Sequence, residues 1–151
     1  MKKVAVCLLG LFLITVCMAN YAVAKGTADE AKALAEKAVA YFKANGKDKA
    51  IAAFNDPKGE FVKEDLYIFM MDSECNTLAH GANQKLVGKN VGELKDADGK
   101  LFMKEMAAMS KKGGGWVDYK WTNPETKKIQ DKSTYILPLE GGLFVGCGIY
   151  K

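Results

Sequence analysis

Residues Gly113 to Tyr150, GGGWVDYKWTNPETKKIQDKSTYILPLEGGLFVGCGIY, read as three consecutive strands and restrict the fold more than any other part of the chain. Turn formers at Asn123 to Lys127 and at Glu140 to Gly142 separate runs that alternate with period two, the pattern of an antiparallel meander with two distinct faces. In the first run Val117, Tyr119 and Trp121 share one side, and Trp116, Asp118 and Lys120 the other. In the second, Lys132, Thr134 and Ile136 oppose Ser133, Tyr135 and Leu137. The segment holds both tryptophans and three of the six tyrosines. Rings beside lysines and hydroxyls suit either the wall of a small polar-ligand pocket or plain sheet core.

The preceding chain supplies helices and a buried strand. Thr27-Ala28-Asp29-Glu30 is a capping box. Ala31, Leu34, Ala35, Ala38, Val39 and Phe42 then recur at helical spacing until Asn45-Gly46. Glu30, Lys32, Glu36, Lys37 and Lys43 give that helix a solvated face. A short helix over about Asp48 to Phe54 ends in the turn cluster Asn55-Asp56-Pro57-Lys58-Gly59. Leu66 to Met71 is a near-continuous apolar run of strand length, as expected of a central strand, and Thr77 to His80 reads as its short return partner. From Gly81 to Asp98 the chain is polar and glycine-punctuated, a long loop of the kind that carries binding groups on a rigid sheet. Leu101 to Lys111 resumes a helical pattern, with Leu101, Phe102, Met106 and Met109 as its apolar stripe, before Gly113-Gly114-Gly115 turns the backbone into the meander.

At the N-terminus, Lys2 and Lys3, the apolar stretch Val4 to Ala19 and Ala22-Val23-Ala24 form the three parts of a secretory signal over residues 1–24. The mature domain is then 25–151, periplasmic or secreted. An anchored lipoprotein is the weaker alternative, because Val16 is bulky for the residue preceding a lipidated Cys17. Removal of the signal takes Cys7 and Cys17 away. Cys75 and Cys147 remain in an oxidising compartment, where the sequence allows one disulfide between them or two free thiols.

All 22 basic residues are lysine. Without the arginine fork, an anion must be met by lysine, backbone amides or hydroxyls, and a near-balanced mature charge speaks against a nucleic-acid partner. The chain has one histidine and lacks HExxH, GxSxG and a phosphate-binding glycine loop, so no enzyme, cofactor or metal site is expected.

The succession of a long helix, DLYIFMMDSECNTLAH, LVGKNVGELKDADGK, a helix, GGGWVDYKWTNP, KSTYILPL and GLFVGCGIYK resembles extracellular single Cache domains over nearly the whole mature chain. The resemblance implies a PAS-like α+β fold, with a long N-terminal helix packed on a central antiparallel sheet of about five strands. It also implies a sensor role: a small organic molecule, often a carboxylate, is bound between the sheet and its covering loops and reported to a membrane receptor or kinase in signalling or chemotaxis. Sensor domains of this type often form homodimers through the N-terminal helix, although here the domain's own sheet can bury that helix's apolar face. No later apolar segment is long enough to span a membrane, so a separate membrane partner is expected to carry the signal. A Cache-like interaction module that binds no ligand is the alternative.

For the pocket, Tyr119 and Trp121 are the expected ring walls, Lys132 the counter-charge and Tyr135 a hydroxyl donor. His80 would add a pH-sensitive donor, and Tyr67 would reach the floor. Each also has a bland role: Trp121 and Tyr67 as sheet core, Lys132 as a solvated lysine, and His80 as an exposed loop residue.

Overall fold

The computed structural model describes residues 25–123 and 126–151, so the signal-peptide segment lies outside the described residues. Helix α1 spans Ala28–Asn45. Its capping box is formed: Thr27 Oγ1 accepts from the Glu30 N–H at 3.3 Å and Glu30 Oε2 from the Thr27 N–H at 3.0 Å. Such a cap contributes about 1 kcal/mol. Ala31, Ala35, Ala38 and Phe42, repeating every three or four residues, are its buried face. The small residues in that row let the helix lie close on the sheet, and Phe42 extends the contact at the far end.

Helix α2 (Lys47–Asn55) follows at once and buries Ala50 and Phe54. Phe54 meets Phe61 edge-on at 4.7 Å, and Tyr41 of α1 meets Phe61 at 5.2 Å. This ring cluster ties both helices to the chain entering the sheet.

Among the described residues six strands form the antiparallel sheet, against the about five the sequence suggested: β1 (Val62–Lys63), β2 (Leu66–Asp72), β3 (Thr77–His80), β4 (Gly115–Thr122), β5 (Ile129–Pro138) and β6 (Leu143–Tyr150). The order is β1-β2-β6-β5-β4, with β3 also paired to β2. The added strand, β1, is only two residues long and pairs Val62 with Tyr67, too short to leave a periodic signal. The apolar run of β2 is explained by its central place, since both faces are covered. Leu66, Ile68 and Met70 pack under α1 and α2, and Phe69 and Met71 join a second core on the other face.

That second core lies under α3 (Phe102–Lys111) and the 81–100 loop. Phe102, Met103, Met106 and Ala107 of α3 meet Val117, Tyr119, Ile136 and Phe144. The loop is fixed to the sheet edge by Asp96, whose carboxylate accepts from the backbone N–H groups of Lys100 at 2.8 Å and Lys120 at 3.0 Å. The α3-to-β4 turn needs Gly114. Its φ is 103°, and a Cβ there would sit 2.5 Å from the Ile136 carbonyl oxygen.

Of the two states the sequence left open, a disulfide or two free thiols, Cys75 and Cys147 have the second here. Cys147 pairs with Ile68 at the start of β2, whereas Cys75 lies beyond its end. Four strand steps, from Ile68 to Asp72, already separate the two levels by roughly 13 Å, against the ~6 Å between Cα atoms that a disulfide tolerates. They also belong to opposite cores, and Cys75 Sγ donates to the Met103 carbonyl at 3.5 Å.

Candidate functional site

The register of β4, β5 and β6 places Tyr119, Lys132 and Tyr150 in one row across the sheet, on the face toward α3. Tyr67 of β2 and His80 at the end of β3 complete a polar group on that face. Five of the six expected residues, Tyr119, Trp121, Lys132, His80 and Tyr67, are therefore brought together. Tyr135 is not. It lies on the helix side of β5, packed beside Trp116 at 5.1 Å and under the Lys32 ammonium, so its hydroxyl cannot serve this site. The strand's period-two alternation is the cause: Lys132 and Tyr135 are three residues apart and face opposite ways.

Lys132 is the centre of the arrangement. It is 2% exposed, and its ammonium donates to Tyr67 Oη at 2.8 Å and Tyr150 Oη at 3.3 Å. Both rings also lie beneath it, with centroids at 4.8 and 4.4 Å. Cation–π contacts of this kind offset part of the loss of water. No carboxylate among the described residues lies within ion-pair distance. A buried ammonium held only by neutral groups is costly, and burial accordingly pulls the Lys132 pKa below its ordinary value. Two of its three N–H groups are used, and the third has no protein acceptor among the described residues.

His80 is 8% exposed, so the solvated-loop role is excluded. Its ring stacks against Tyr67 at 4.9 Å and Phe69 at 6.2 Å. Nδ1 accepts the Asn83 backbone N–H at 2.9 Å, which leaves the proton of the neutral ring on Nε2. Burial, followed by the Lys132 charge, lowers its pKa to about 4. His80 at neutral pH is therefore an uncharged donor. The hydroxyls of Tyr67, Tyr119 and Tyr150 are pushed up, chiefly by burial, and stay protonated.

Around this polar group the wall is apolar. Tyr67, Phe69, His80, Phe102, Tyr119 and Trp121 surround a small enclosed cavity, with Met71, Leu86, Leu94 and Met103 closing it. Its volume is about 30 Å³, room for a water molecule or two. Phe102 stacks on Tyr119 at 4.4 Å with the rings 6° from parallel, while Tyr119 Oη hydrogen-bonds Thr134 Oγ1 at 3.0 Å. Larger concavities elsewhere, such as that between Glu74, Glu93 and Lys104, are open to solvent and have no comparable buried charge. The cavity is too small for an organic ligand without movement of its walls; Tyr67, His80 and Tyr119 give it a polar side, and Lys132 stands behind that lining, donating to the Tyr67 hydroxyl.

Sequence reasoning missed Tyr150, Thr134 and Phe102 as members of the site. A signal for Tyr150 was present, because Gly146, Gly148 and Tyr150 alternate onto one face and the glycines leave room there. A Cβ at Gly148 would lie 2.5 Å from Lys132 Cε and 2.6 Å from Thr134 Oγ1. Gly148→Ala is expected to push the lysine from its place and weaken anion binding about tenfold, with about 1–3 kcal/mol lost from stability through overpacking. Calorimetric titration and urea unfolding of the variant check both effects.

Comparison with known proteins places these features in context. The family model for single Cache domain 2 matches residues 9–151. Over 88 residues the chain is 35% identical to the sensor histidine kinase MctS of Rhizobium johnstonii, covering 58% of this chain and 19% of the kinase. It is 31% identical over 88 residues to the methyl-accepting chemotaxis protein McpP of Pseudomonas putida, covering 57% of this chain and 16% of that receptor. The chain thus matches less than a fifth of the length of either relative. Among solved structures, a methyl-accepting chemotaxis protein from Vibrio parahaemolyticus superposes with a TM-score of 0.69 at 26% identity, covering 81% of this chain and 86% of that one. A Cache chemosensory domain described for its carboxylic acid recognition superposes with a TM-score of 0.62 at 25% identity, covering 81% and 86%.

Proposed function

The chain belongs to the single Cache domain 2 family, whose members are ligand-binding sensor modules, and from that membership we propose that it binds a small organic carboxylate in the cavity beside Lys132. The observation that carries this reading is the buried Lys132 ammonium, which has no ion-pair partner and, for one N–H, no acceptor among the described residues. A carboxylate would neutralise it and accept that N–H. His80 Nε2–H would supply a second, neutral donor, and Phe69, Phe102, Met103 and Trp121 would enclose the organic part. The likeness to a Cache domain that recognises carboxylic acids supports the same ligand class. Under this reading the protein is a periplasmic or secreted sensor that reports ligand to a membrane receptor or kinase. No helix among the described residues is long and apolar enough to cross a membrane.

The small cavity favours one competing reading, an interaction module that binds no small molecule. A thermal-shift screen of domain 25–151 separates them. Acetate, propionate, butyrate and pyruvate are compared with methylamine, propylamine, glycine and alanine at matched concentration and ionic strength. At a hundred times its Kd a true ligand adds about 2.7 kcal/mol, a rise of several degrees. At least one carboxylate is expected to give that rise and the amines none. A flat response across the series would favour the interaction module.

A further inference from the structure

We propose that Asn55, at the end of α2, is a positioning residue of the site: it sets His80 and holds the covering loop closed from outside the pocket. This rests on the carboxylate-binding reading above for its consequence, but its geometry stands alone.

Strand β3 is an edge strand, paired to β2 on one side only. On its outer side the His80 N–H and the Leu78 carbonyl would face away from any strand. The Asn55 side chain fills that position as a neighbouring peptide would. Its Oδ1 accepts the His80 N–H at 3.0 Å, and its Nδ2 donates to the Leu78 carbonyl at 3.3 Å. The backbone carbonyl of Asn55 also accepts from Gln84 Nε2 at 2.6 Å. One residue of the helical layer thus grips both the last strand residue and the first turn of the loop.

The grip continues into the pocket. With its backbone fixed, His80 presents Nδ1 to the Asn83 N–H at 2.9 Å, so Nε2 keeps the proton. Asn83 Oδ1 in turn accepts the Lys85 N–H at 3.2 Å and caps the 3-10 turn Gln84–Leu86. Leu86, the last residue of that turn, is a wall of the cavity. The path from Asn55 to the pocket runs through hydrogen bonds alone: His80 orientation, Asn83, then Leu86. Of the side-chain hydrogen bonds Asn55 makes, only that to His80 reaches a residue lining the cavity, and Asn55 belongs to no apolar cluster that a simple core role would require.

The test uses domain 25–151 with propionate, acetate and pyruvate as probes. As the chain has one histidine, the imidazole nitrogen resonances report His80 without ambiguity. Asn55→Ala is expected to weaken carboxylate binding about tenfold, to move His80 away from the pure Nε2–H form and to speed amide exchange at Asn83 to Val87. Asn55→Asp, which keeps the acceptor for the His80 N–H and loses the donor to Leu78, should recover most of the His80 signature. Asn55→Ala that lowers Tm yet leaves the imidazole resonances and loop exchange as in the parent overturns the proposal, as does Asn55→Asp behaving like Asn55→Ala. If the parent binds none of the probes, the carboxylate reading fails, and the imidazole and exchange measurements still decide the role of Asn55.

Discussion

Lys132→Met should abolish carboxylate binding and at the same time raise the melting temperature of the unliganded domain. The two effects share one origin. Lys132 is buried to 2% exposure with two tyrosine hydroxyls and two rings as its surroundings, and no carboxylate among the described residues lies within ion-pair distance, the Asp65 charge acting only from farther away. A charge without an opposite partner is among the costlier things a fold can bury, and apolar replacements of buried ions stabilise by about 1–4 kcal/mol. Methionine matches the stem in length and suits the two rings. The expected gain is roughly 5 °C in Tm. Removing one partner of a buried, hydrogen-bonded charge pair costs about 2–5 kcal/mol, so binding should weaken by at least about thirtyfold. Differential scanning calorimetry with and without propionate measures both. A variant that is destabilised and still binds would mean that the lysine is structural.

Acid should destabilise the domain in a window set by His80. Its folded pKa of about 4 lies below the ordinary 6.5, so between those values the unfolded chain binds a proton that the folded one refuses. The stability contributed by keeping His80 neutral is therefore complete above pH 6.5 and is lost as the pH falls toward 4. The slope is about 1.4 kcal/mol per pH unit, about 3 kcal/mol over the window. Urea unfolding at pH 7 and 4.5 measures it, with His80→Gln as the reference, since exposed carboxylates such as Glu93 and Asp118 are also held below their usual range and titrate in both proteins. The parent should lose more stability than the variant over this interval. Equal losses would place the acid response elsewhere. Lys132→Met should also narrow the window from its acid side, because the Lys132 charge is the second cause of the lowered folded value while the upper edge is set by the unfolded chain.

Much of this was legible in the chain itself, for reasons that are local. Alternation put Tyr119 and Trp121 on one face of their strand, and Lys132 and Tyr135 on opposite faces of the next, because a strand's side chains follow the backbone pleat whatever packs against them; which of the two joined the rings was decided by the register that pairs Tyr119 with Lys132. The capping box at Thr27 and Glu30 marked the start of α1 for the same reason. What was not legible depends on distant chain. Nothing near Lys132 in sequence says that α3 and the 81–100 loop will seal it from water, or that the nearest partners will be hydroxyls from β2 and β6. His80 resembled an exposed loop residue, since the rings packed on it, Tyr67 and Phe69, and the Asn55 side chain that holds its backbone, 25 residues away, come from other elements. The cysteine pairing hinged on sheet register, which puts Cys147 opposite Ile68 and leaves Cys75 past the far end of β2. Tyr135 shows the limit of face sorting: its side followed from its spacing to Lys132, but which side carried the pocket depended on where α3 would lie.

One buried charge without an ion-pair partner among the described residues dominates the site. Membership in the single Cache domain 2 family gives the fold and the sensor class, and Lys132 gives a reason for the ligand to be an anion. The cavity of about 30 Å³ means that Leu86, Leu94 and Met103 must shift to admit even a short acid. The most direct measurement is a crystal structure of domain 25–151 grown with the carboxylate that most raises its Tm. One carboxylate oxygen should lie about 2.8 Å from Lys132 Nζ, another within hydrogen-bonding distance of His80 Nε2, and the carbon chain among Phe69, Phe102 and Trp121. A carboxylate found away from Lys132, for instance among the surface lysines Lys104 and Lys111, with the site beneath α3 unchanged, would contradict it.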